Sequence, residues 1–377
     1  MDFFAGSHVE LIDLVILLAT IAFCVIILNA KTSLLNRRAS KDLRQFHSTH
    51  AQPVPRLGGA AMFAGFLLTI LFFDGFFGGR HAKVLVSMLP MLAVTLWEDT
   101  LRPTSPRIRL MGVLASCLLT LGSLQVWLTS IDLPLIDLLM PGFAGFLITA
   151  AFILGTVNGF NMIDGLNGLC AGTALAALLT LNFIAVAVGY EFMAHLTMAL
   201  GAAVTSFLVF NFPRARLFLG DTGAYVLGYL IALFGISLCY RYPAVSPWAV
   251  FLIIGYPLSE LVITFFRRLL AGSSPFLPDN LHLHHLVQAQ VQRLRLPGKL
   301  GAHHNPITTI LILPLAIGPM IFAAANFDSP RLLQASTAAY GLAMIGIYAL
   351  LRMKHRGTSS GEAPAGVAEE ETDSSRA

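Results

Sequence analysis

The sequence predicts an all-α, polytopic membrane protein, a helix bundle with about eleven transmembrane helices. Of the 377 residues 56% are hydrophobic and only 12% are charged, whereas soluble domains carry about 25% charged residues. The mean hydropathy of +0.74 points the same way. Crossing a hydrocarbon layer of ~30 Å takes ~20 apolar residues, and the chain holds eleven apolar runs, some of them short or interrupted by glycine and proline. The runs lie at about 10–30, 57–77, 83–97, 108–130, 142–157, 168–189, 195–212, 222–239, 247–266, 306–326 and 332–351.

The distribution of basic residues predicts how the bundle is oriented. If the first run crosses from outside to inside, 20 of the 24 Lys and Arg residues fall on the inner side. The positive-inside rule therefore predicts an outer N-terminus and a cytoplasmic C-terminus. The polar, glycine-rich stretches sort to the same inner side, so a working surface is expected on the cytoplasmic face. These stretches are 40–59, 98–109, 158–168, 213–223 and 267–305.

The rest of the composition excludes several classes of protein. The four cysteines lie inside apolar runs and suit neither zinc nor a disulfide framework, so they are read as small core residues. The acidic N-terminus lacks a basic n-region and indicates a retained first helix rather than a signal peptide. Residues 1–352 are predicted to form a single integral-membrane domain, and the polar tail 353–377 a disordered cytoplasmic segment. No nucleic-acid partner is expected.

The central polar stretch, 158–169, joins two apolar runs. Asn158, Asn161, Asp164 and Asn167 place four polar side chains within ten residues, where a membrane chain accommodates them poorly. A plain polar turn is the alternative. A turn needs only two to five residues and does not need so many amides beside a carboxylate, which favours a functional loop.

The first inner loop ends in a cationic stretch stiffened by prolines. Arg56 precedes Gly58 and Gly59 at the predicted start of a helix, and a helix N-terminus with glycines and an arginine suits a phosphate. Ordinary positive-inside charge is the alternative. We favour phosphate binding for Arg56 because arginine makes planar, bidentate contacts with phosphate.

Two adjacent carboxylates, Glu98 and Asp99, end an apolar run in the second inner loop. The helix macrodipole disfavours acids at a C-terminus. Their presence therefore indicates a compensating cation, which could be a metal ion or one of Arg102, Arg107 and Arg109. A solvated acidic pair is the alternative.

Asp221 stands at the start of an apolar run, between Gly220 and Gly223. Helix capping is the alternative, since Asp is a good N-cap residue, but a cap needs neither glycine. Hard oxygen ligands such as Asp221 and Asp164 suit Mg²⁺, which keeps waters and shares substrate phosphates. The sequence therefore favours a metal or phosphate role for Asp221, with Asp164 as a second metal ligand.

A histidine cluster, His282, His284 and His285, lies in the longest inner stretch. Zinc is less favoured here than phosphate binding or proton transfer, because no cysteine and few carboxylates accompany the imidazoles. Residues 286–296 could lie on the membrane surface. Carboxylates, imidazoles and arginines on one face suit phosphoryl transfer, in which cations neutralise charge and geometry supplies the rest. One substrate is expected to be a soluble diphosphate and the other a lipid phosphate.

These motifs resemble the polyprenyl-phosphate N-acetylhexosamine-1-phosphate transferases, which include the bacterial GlcNAc-1-phosphate transferase and the phospho-MurNAc-pentapeptide translocase. The matching pieces follow the family order over roughly residues 40–290. They are weak singly and specific together. They are Pro53-Val-Pro-Arg-Leu-Gly-Gly59, Glu98-Asp99, Asn158 to Gly168, Leu219-Gly-Asp-Thr-Gly223 and His282-Leu-His-His285.

The resemblance implies transfer of N-acetylhexosamine-1-phosphate from a UDP-sugar to undecaprenyl phosphate, which gives undecaprenyl-diphospho-sugar and UMP. This reaction initiates lipid-linked cell-surface glycans such as O-antigen, exopolysaccharide or cell wall. The implied cofactor is Mg²⁺, with Mn²⁺ as an alternative. Whether the protein forms a homodimer is left open by the resemblance.

The resemblance also implies roles for individual residues. Asp221 corresponds to a Mg²⁺ ligand, and the pair Glu98 and Asp99 to acids that deprotonate or orient the lipid phosphate. The central stretch is associated with nucleotide and metal-site contacts, and the histidines with the diphosphate. The implied substrate-binding residues are Arg56, Asn158, Asn161, Asp164, His282, His284 and His285.

The sequence departs from the family pattern at three positions. Glu98 replaces the first Asp of the acidic pair, Arg102 stands where many members keep a third acid, and Asn280 stands where an Arg is common. These departures favour the O-antigen or exopolysaccharide-initiating members, and they leave open which acid acts as base and which sugar is recognised. GlcNAc, GalNAc, QuiNAc and FucNAc all fit.

Two other classes fit less well. A transporter of sugars or lipid-linked sugars would place acids near the midplane and show symmetry between its halves, whereas here the acids lie at the ends of runs. The CDP-alcohol type of membrane phosphotransferase carries an Asp-Gly motif that continues to Ala-Arg. That continuation is missing after Asp164-Gly165.

Overall fold

The computed structural model describes residues 3–29, 54–73, 79–140, 142–272, 281–294, 297 and 303–359, and over these ranges all regular structure is helical. The helices are α1 (Phe3–Asn29), α2 (Gly58–Phe73), α3 (Arg80–Thr100), α4 (Pro106–Leu124), α5 (Pro134–Asp137), α6 (Phe143–Met162), α7 (Leu169–Ala187), α8 (Glu191–Asn211), α9 (Gly220–Arg241), α10 (Pro247–Ile253), α11 (Gly255–Leu270), α12 (Leu283–Arg293), α13 (His304–Ala325) and α14 (Pro330–Ser359).

Within the described residues each of the eleven apolar runs overlaps a helix, which agrees with an all-helical, polytopic membrane fold. Seven of the described helices are long and apolar enough to cross a membrane, and the count is eight if α10 and α11 form one span. The described apolar parts of α1 and α2 are shorter, Leu14–Asn29 and Gly58–Leu68. α3 is less apolar because it contains charged residues at both ends and Pro90 in its middle. The seven long helices are α4, α6, α7, α8, α9, α13 and α14.

The helix α9 forms the centre of the bundle, and every residue from Gly220 to Ile236 is buried. It packs against α2, α3, α6 and α7. Small residues permit this close approach, as at many helix contacts in membranes. A Cβ at Gly228 would lie 2.8 Å from the Cα of Val157 on α6. The start of α9 is therefore held firmly against its neighbours.

A short backbone pairing ties the start of α2 to the start of α9. The amides of Gly58 and Gly59 donate to the carbonyls of Phe218 and Leu219, at 2.9 and 2.8 Å, and the Phe218 amide donates to Pro55 at 2.8 Å. Gly220 follows with a φ of +74°, a left-handed conformation that favours glycine. This pairing brings the Arg56 backbone beside the first turn of α9.

The helices α10 and α11 meet at Ile254 with a bend of 77°. The buried face of α11 carries Glu260, Thr264 and Arg268, which are spaced four residues apart and so lie on one side of the helix. Its other side exposes apolar residues such as Phe266 and Leu269. The bend thus turns a polar stripe toward the interior of the bundle.

The two ends of the bundle are distinct. One end, called the site end below, contains the start of α9, the end of α3 and the α6–α7 connection. At the far end, the Ser246 hydroxyl pairs with the Asp132 carboxylate, and Trp248 Nε1 donates to the Ile131 carbonyl at 2.7 Å. Gln334 Nε2 donates to the Asp132 carbonyl at 2.7 Å. This far-end network joins the α4–α5 connection to α10 and α14.

Some predicted boundaries differ from the observed ones. The predicted tail begins at residue 353, but α14 continues to Ser359. Basic residues such as Arg352 and Lys354 favour a helix C-terminus, because they complement the macrodipole. Within the predicted surface segment 286–296, α12 is helical and buries Leu286 and Val291. The predictions for 30–53, Asn280 and 360–377 lie outside the described residues.

Candidate active site

A cluster of charged side chains occupies the site end, and it is called the carboxylate cluster below. It comprises Glu98, Asp99 and Asp221 with Arg56 and Arg109. Arg109 Nη1 lies 2.8 Å from Asp221 Oδ2 and 3.4 Å from Glu98 Oε1. Arg56 Nη2 lies 3.5 Å from Asp221 Oδ1, and its Nε lies 3.9 Å from Asp99 Oδ1. Residues from three of the predicted polar stretches, 40–59, 98–109 and 213–223, therefore meet at one point.

The carboxylate of Asp99 holds the first turn of α9. Its Oδ1 accepts the backbone amide of Asp221 at 3.0 Å, and its Oδ2 accepts that of Thr222 at 2.8 Å. These amides belong to the donors that a helix N-terminus leaves unpaired. Asp221 does not cap α9 with its own side chain, because it lies in the first turn and Leu219 is the N-cap residue. Asp99 on α3 thus supplies the cap from another helix.

The two acids of the predicted pair differ in exposure. The Asp99 side chain is completely buried, whereas 12% of the Glu98 side chain is exposed. Glu98 also accepts a hydrogen bond from the hydroxyl of Thr104. Of the three arginines proposed to compensate this pair, Arg109 makes the contacts described above. Arg102 and Arg107 are exposed.

Asp164 interacts electrostatically with members of the carboxylate cluster. Burial raises the pKa of Asp99 to about 6, the charge of Asp221 adds to the rise, and the Thr222 amide and Arg56 oppose it. Burial also raises the pKa of Asp164 well above its usual range; the charge of Arg56 opposes this rise, while Asp221 and Asp99 reinforce it. Three carboxylates therefore share one electrostatic environment that favours a bound cation.

A cavity of about 590 Å³ opens next to the carboxylate cluster, between α4, α6, α11 and the start of α12. One wall is apolar and includes Leu154, Leu261 and Phe265. The polar lining contains six of the predicted site residues and four further polar residues. The polar residues of the lining are Arg109, Asn158, Asn161, Asp164, Tyr225, Thr264, Arg268, His282, His284 and His285.

The central polar stretch divides between the cavity and the scaffold. Asn158, Asn161 and Asp164 line the cavity. Asn167 instead holds neighbouring segments together: its backbone amide donates to Asn305 Oδ1 at 2.7 Å, and its Nδ2 donates to the Pro213 carbonyl at 3.1 Å. The abundance of polar residues in this stretch thus has both a functional and a structural origin.

Sequence reasoning missed Glu260, which organises the histidine cluster. Glu260 Oε1 lies 3.1 Å from His284 Nδ1 and accepts the hydroxyl of Tyr256 at 3.1 Å. The backbone amide of Leu283 donates to Oε2 at 3.1 Å, and His282 Nδ1 lies 3.7 Å from the same oxygen. A single acid inside the apolar run 247–266 was the available signal, since buried membrane acids are costly and usually functional.

The contact with Glu260 fixes how His284 is presented. Its Nδ1 faces Glu260, and its Nε2 is buried without a hydrogen-bond partner among the described residues. This Nε2 points to the backbone of Gly165, where a Cβ would approach it to 2.7 Å. The ring of His285 lies 4.2 Å away, between centroids. Glu260 therefore leaves one imidazole nitrogen available beside the central stretch.

The donors at this end suit Mg²⁺. Asp164 lines the cavity and its carboxylate receives no hydrogen bond from a described side chain, while the Asp221 carboxylate forms ion pairs with Arg56 and Arg109. Within the described ranges, no group of three His, Cys, Asp or Glu side chains is arranged to enclose a metal. Mg²⁺ commonly uses one or two carboxylates and takes its other ligands from water and substrate phosphates. Asp221 and Asp164 meet that requirement.

The comparisons with known proteins agree with this geometry. Residues 81–239 match the profile of glycosyl transferase family 4. Among the curated relatives is a Bacillus subtilis protein named a probable undecaprenyl-phosphate N-acetylglucosaminyl 1-phosphate transferase. It is 27% identical over 278 residues, which cover 71% of this chain and 77% of the relative.

Two further relatives carry similar names. The Mycobacterium tuberculosis decaprenyl-phosphate N-acetylglucosaminephosphotransferase is 27% identical over 346 residues, which cover 82% of this chain and 81% of the relative. The Escherichia coli undecaprenyl-phosphate alpha-N-acetylglucosaminyl 1-phosphate transferase is 26% identical over 254 residues, which cover 65% and 68%. Residues 81–239 thus resemble glycosyl transferase family 4, and the chain as a whole is similar to proteins named as polyprenyl-phosphate N-acetylglucosamine-1-phosphate transferases.

Proposed function

We propose that this protein transfers N-acetylhexosamine-1-phosphate from a UDP-sugar to undecaprenyl phosphate, which yields undecaprenyl-diphospho-sugar and UMP. The names of the relatives support a polyprenyl phosphate acceptor and an N-acetylhexosamine donor. The observation that carries the proposal is the carboxylate cluster beside a cavity with polar and apolar walls. Such a cavity suits a charged diphosphate next to a lipid chain.

In the proposed reaction, an oxygen of the lipid phosphate attacks the sugar-bearing phosphorus, and the bond from that phosphorus to the UMP oxygen breaks. A phosphate monoester has a second pKa near 6, so the attacking group is already largely ionised at pH 7. The main task is therefore to place two anions together and to neutralise their charge. Arg109 and Arg56, which both reach Asp221, are suited to that task.

The cofactor in this proposal is Mg²⁺, with Mn²⁺ as an alternative. Asp221 and Asp164 would hold the ion, which when bound supplies positive charge to the diphosphate. Asp99 keeps Asp221 in place through its bonds to the first turn of α9. Glu98, the more exposed acid of the pair, is better placed than Asp99 to meet the lipid phosphate.

The remaining cavity walls would distribute the two substrates. Asn158, Asn161 and the histidine cluster offer donors and acceptors to the nucleotide and the diphosphate. The apolar wall, with Leu261 and Phe265, suits the polyprenyl chain, which would approach from the lipid. The presentation of His284 by Glu260 supports a contact from Nε2 to a phosphate oxygen or to a donor group.

For the membrane topology we propose eleven spans in the inner membrane, an outer N-terminus and a cytoplasmic active site. The sorting of 20 of 24 basic residues to the site side supports this orientation. A cytoplasmic site would draw on cytoplasmic UDP-sugars. The product would start a lipid-linked surface glycan, such as the O-antigen of lipopolysaccharide, an exopolysaccharide or a cell-wall polymer.

A reconstituted assay tests the proposal. The purified protein is incubated with undecaprenyl phosphate, Mg²⁺ and a panel of UDP-N-acetylhexosamines. We expect at least one sugar to give UMP and the lipid diphospho-sugar in equal amounts, as measured by chromatography and mass spectrometry. Release of no UMP from any donor would overturn the proposal.

Variants link this activity to the site. Asp221→Asn and Asp164→Asn each remove a charged ligand and should lower turnover by roughly 10²–10³-fold, comparable to the loss of one strong electrostatic contact in other enzymes. Asp328→Asn, a matched change at the far end of the bundle, should keep the wild-type rate. Wild-type rates in both site variants would remove the proposed metal site.

A further inference from the structure

A second cavity, of about 230 Å³, lies at the far end of α9 and is called the far cavity below. It is enclosed by α2, α3, α4, α8 and α9. Along α9, Asp221 is 9 residues from Leu230, the nearest lining residue, and 20 residues from Arg241. At 1.5 Å per residue these distances are roughly 14 and 30 Å, compared with a hydrocarbon layer of ~30 Å. The far cavity therefore extends from the middle of the bundle toward the end opposite the active site, and it shares no lining residue with the active-site cavity.

The deep walls of the far cavity are apolar. The innermost side chains are buried, and they come from α2, α3, α8 and α9. They are Phe66, Leu85, Met193, Leu230, Leu233 and Phe234. Binding sites for drug-sized molecules have volumes of ~300–1,000 Å³, so this smaller space suits a single slender apolar chain.

Two cations lie beside the opening of the far cavity. Arg241 lines the cavity from the last turn of α9, and its guanidinium carbon lies 6.0 Å from the centre of the Tyr190 ring. Lys83 precedes the lining residue Val84, and its Nζ donates to the Ser123 carbonyl at 3.3 Å. Glu191 is exposed nearby in the sequence. Within the described part of the chain, no carboxylate lies within 4 Å of either cation.

The far cavity therefore combines an apolar interior with two exposed basic residues that form no ion pair with a described carboxylate. Arg241 and Lys83 are also two of the four basic residues that the sequence assigns to the outer side of the membrane. The rim aromatics Tyr190 and Tyr240 suit the boundary between lipid and water. An inorganic anion would leave the apolar walls uncovered, and a zwitterionic phospholipid would bring its own cation next to the two basic residues. An anionic phospholipid avoids both problems, because its acyl chain covers the apolar walls and the basic residues attract its headgroup.

We infer that the far cavity is a binding site for an anionic phospholipid of the leaflet opposite the active site. One acyl chain lies between Leu230, Leu233 and Phe234, and the phosphate lies against Arg241 and Lys83. This site does not depend on the proposed transferase reaction, because it uses no residue of the carboxylate cluster.

Competitive lipid retention tests the inference. The full-length protein is extracted in mild detergent, mixed with equal amounts of phosphatidylglycerol and phosphatidylcholine, and examined by native mass spectrometry. We expect preferential retention of phosphatidylglycerol. Arg241→Gln and Lys83→Gln should each lower this preference about fivefold, the scale of one basic residue at an anionic surface. The matched control Arg331→Gln, at the same end of the bundle, should leave the preference unchanged.

A second variant tests the apolar part of the site. Ser237→Phe fills the far cavity from α9 without changing charge, and it should reduce retention of both lipids. Thermal unfolding of each variant, followed without added lipid, shows whether the bundle remains intact. The inference fails if the wild type retains both lipids equally, or if Arg241→Gln and Lys83→Gln keep the wild-type preference. It also fails if inorganic phosphate raises the melting temperature as much as phosphatidylglycerol does.

Discussion

The carboxylate cluster depends on a few side chains that make more than one contact. Arg109 is the clearest case, because a single nitrogen lies near both Glu98 and Asp221. Its guanidinium neutralises two acids that would otherwise repel each other at the entrance to the cavity. The Asp99 carboxylate likewise accepts a hydrogen bond with each of its oxygens. The Glu260 carboxylate accepts hydrogen bonds from Tyr256 on α11 and from Leu283 at the start of α12.

Arg109→Gln is expected to lower kcat/KM for UMP release by about 10²-fold, the scale of losing one preorganised charged donor. The reason is that Glu98 and Asp221 lose their shared cation. Rates measured at saturating Mg²⁺ separate this effect from weaker metal binding. Arg107→Gln, a matched change at an exposed neighbour, should retain full activity. Equal rates for both variants would contradict the role assigned to Arg109.

Glu260→Gln is expected to reduce kcat more than it changes KM for the UDP-sugar, because the histidine cluster loses its orienting charge. The four groups that hydrogen-bond to Glu260 would then face an amide that can accept from only some of them, and a buried donor left unpaired costs about 1–3 kcal/mol. Tyr256→Phe removes one donor and leaves His284 paired, so it should change kcat much less. Unchanged kcat in Glu260→Gln would show that the histidines hold their positions without it.

Local sequence patterns were sufficient for residues whose motif is compact. Asp221 between its glycines and the histidine cluster could be found by spacing alone. Glu260 could not be found in this way, because its partners Leu283 and His284 lie 23 and 24 residues further along the chain. The cap from Asp99 to the start of α9 spans 122 residues. Such contacts arise only when the bundle brings the helices together.

At the scale of elements, the backbone pairing between the starts of α2 and α9 holds Arg56 next to the first turn of α9. A Cβ at Gly59 would overlap the backbone of Gly223 and lie 2.6 Å from the Leu219 carbonyl oxygen. No flexible side chain can move aside to relieve that contact. The crossing of the two helices therefore requires glycine at this position.

Gly59→Ala is expected to lower the melting temperature and to reduce activity, because α2 and α9 must separate and Arg56 moves away from Asp221. An overpacked core position typically costs about 1–3 kcal/mol. Gly341→Ala is the matched control on α14, where a Cβ would meet no atom within 4 Å. It should leave both the melting temperature and the rate near wild type. Equal melting temperatures for the two variants would contradict the close crossing.

The approximate positions of the helices could be predicted, since an extended apolar run in a membrane protein forms a helix. The break at Ile254 was missed because the run 247–266 is apolar on both sides of that residue. Gly255 and Pro257, just after the break, were the available signal. Proline is favoured in the first turn of a helix and disfavoured in its interior. Hydropathy alone cannot distinguish one straight helix from two that meet at an angle.

At the scale of the whole molecule, the two ends of the bundle carry different chemistry. The site end gathers the carboxylate cluster and the histidines, while the far end holds the far-end network and the far cavity. This separation follows from α9, which places Asp221 and Arg241 at its opposite ends. The positive-inside pattern predicted that the polar stretches lie on one side of the bundle, although it could not predict either cavity.

Cysteine labelling in intact cells can test the proposed orientation. Asp328→Cys at the far end should react with a membrane-impermeant maleimide in whole cells. Arg102→Cys at the site end should react only after lysis, because the inner membrane shields it. The unmodified protein, whose described cysteines are buried or partly buried, gives the background. The reverse labelling pattern would invert the proposed topology.

The position of Asp99 also affects how genetic screens should be interpreted. Both of its oxygens are taken by amides at the start of α9, so an allele that changes this residue loosens a helix junction before it touches any substrate. An inactive allele at this position would be scored as damage to the chemistry, although its first effect is architectural. Second-site suppressors of such alleles should therefore concentrate where α3 packs on α9.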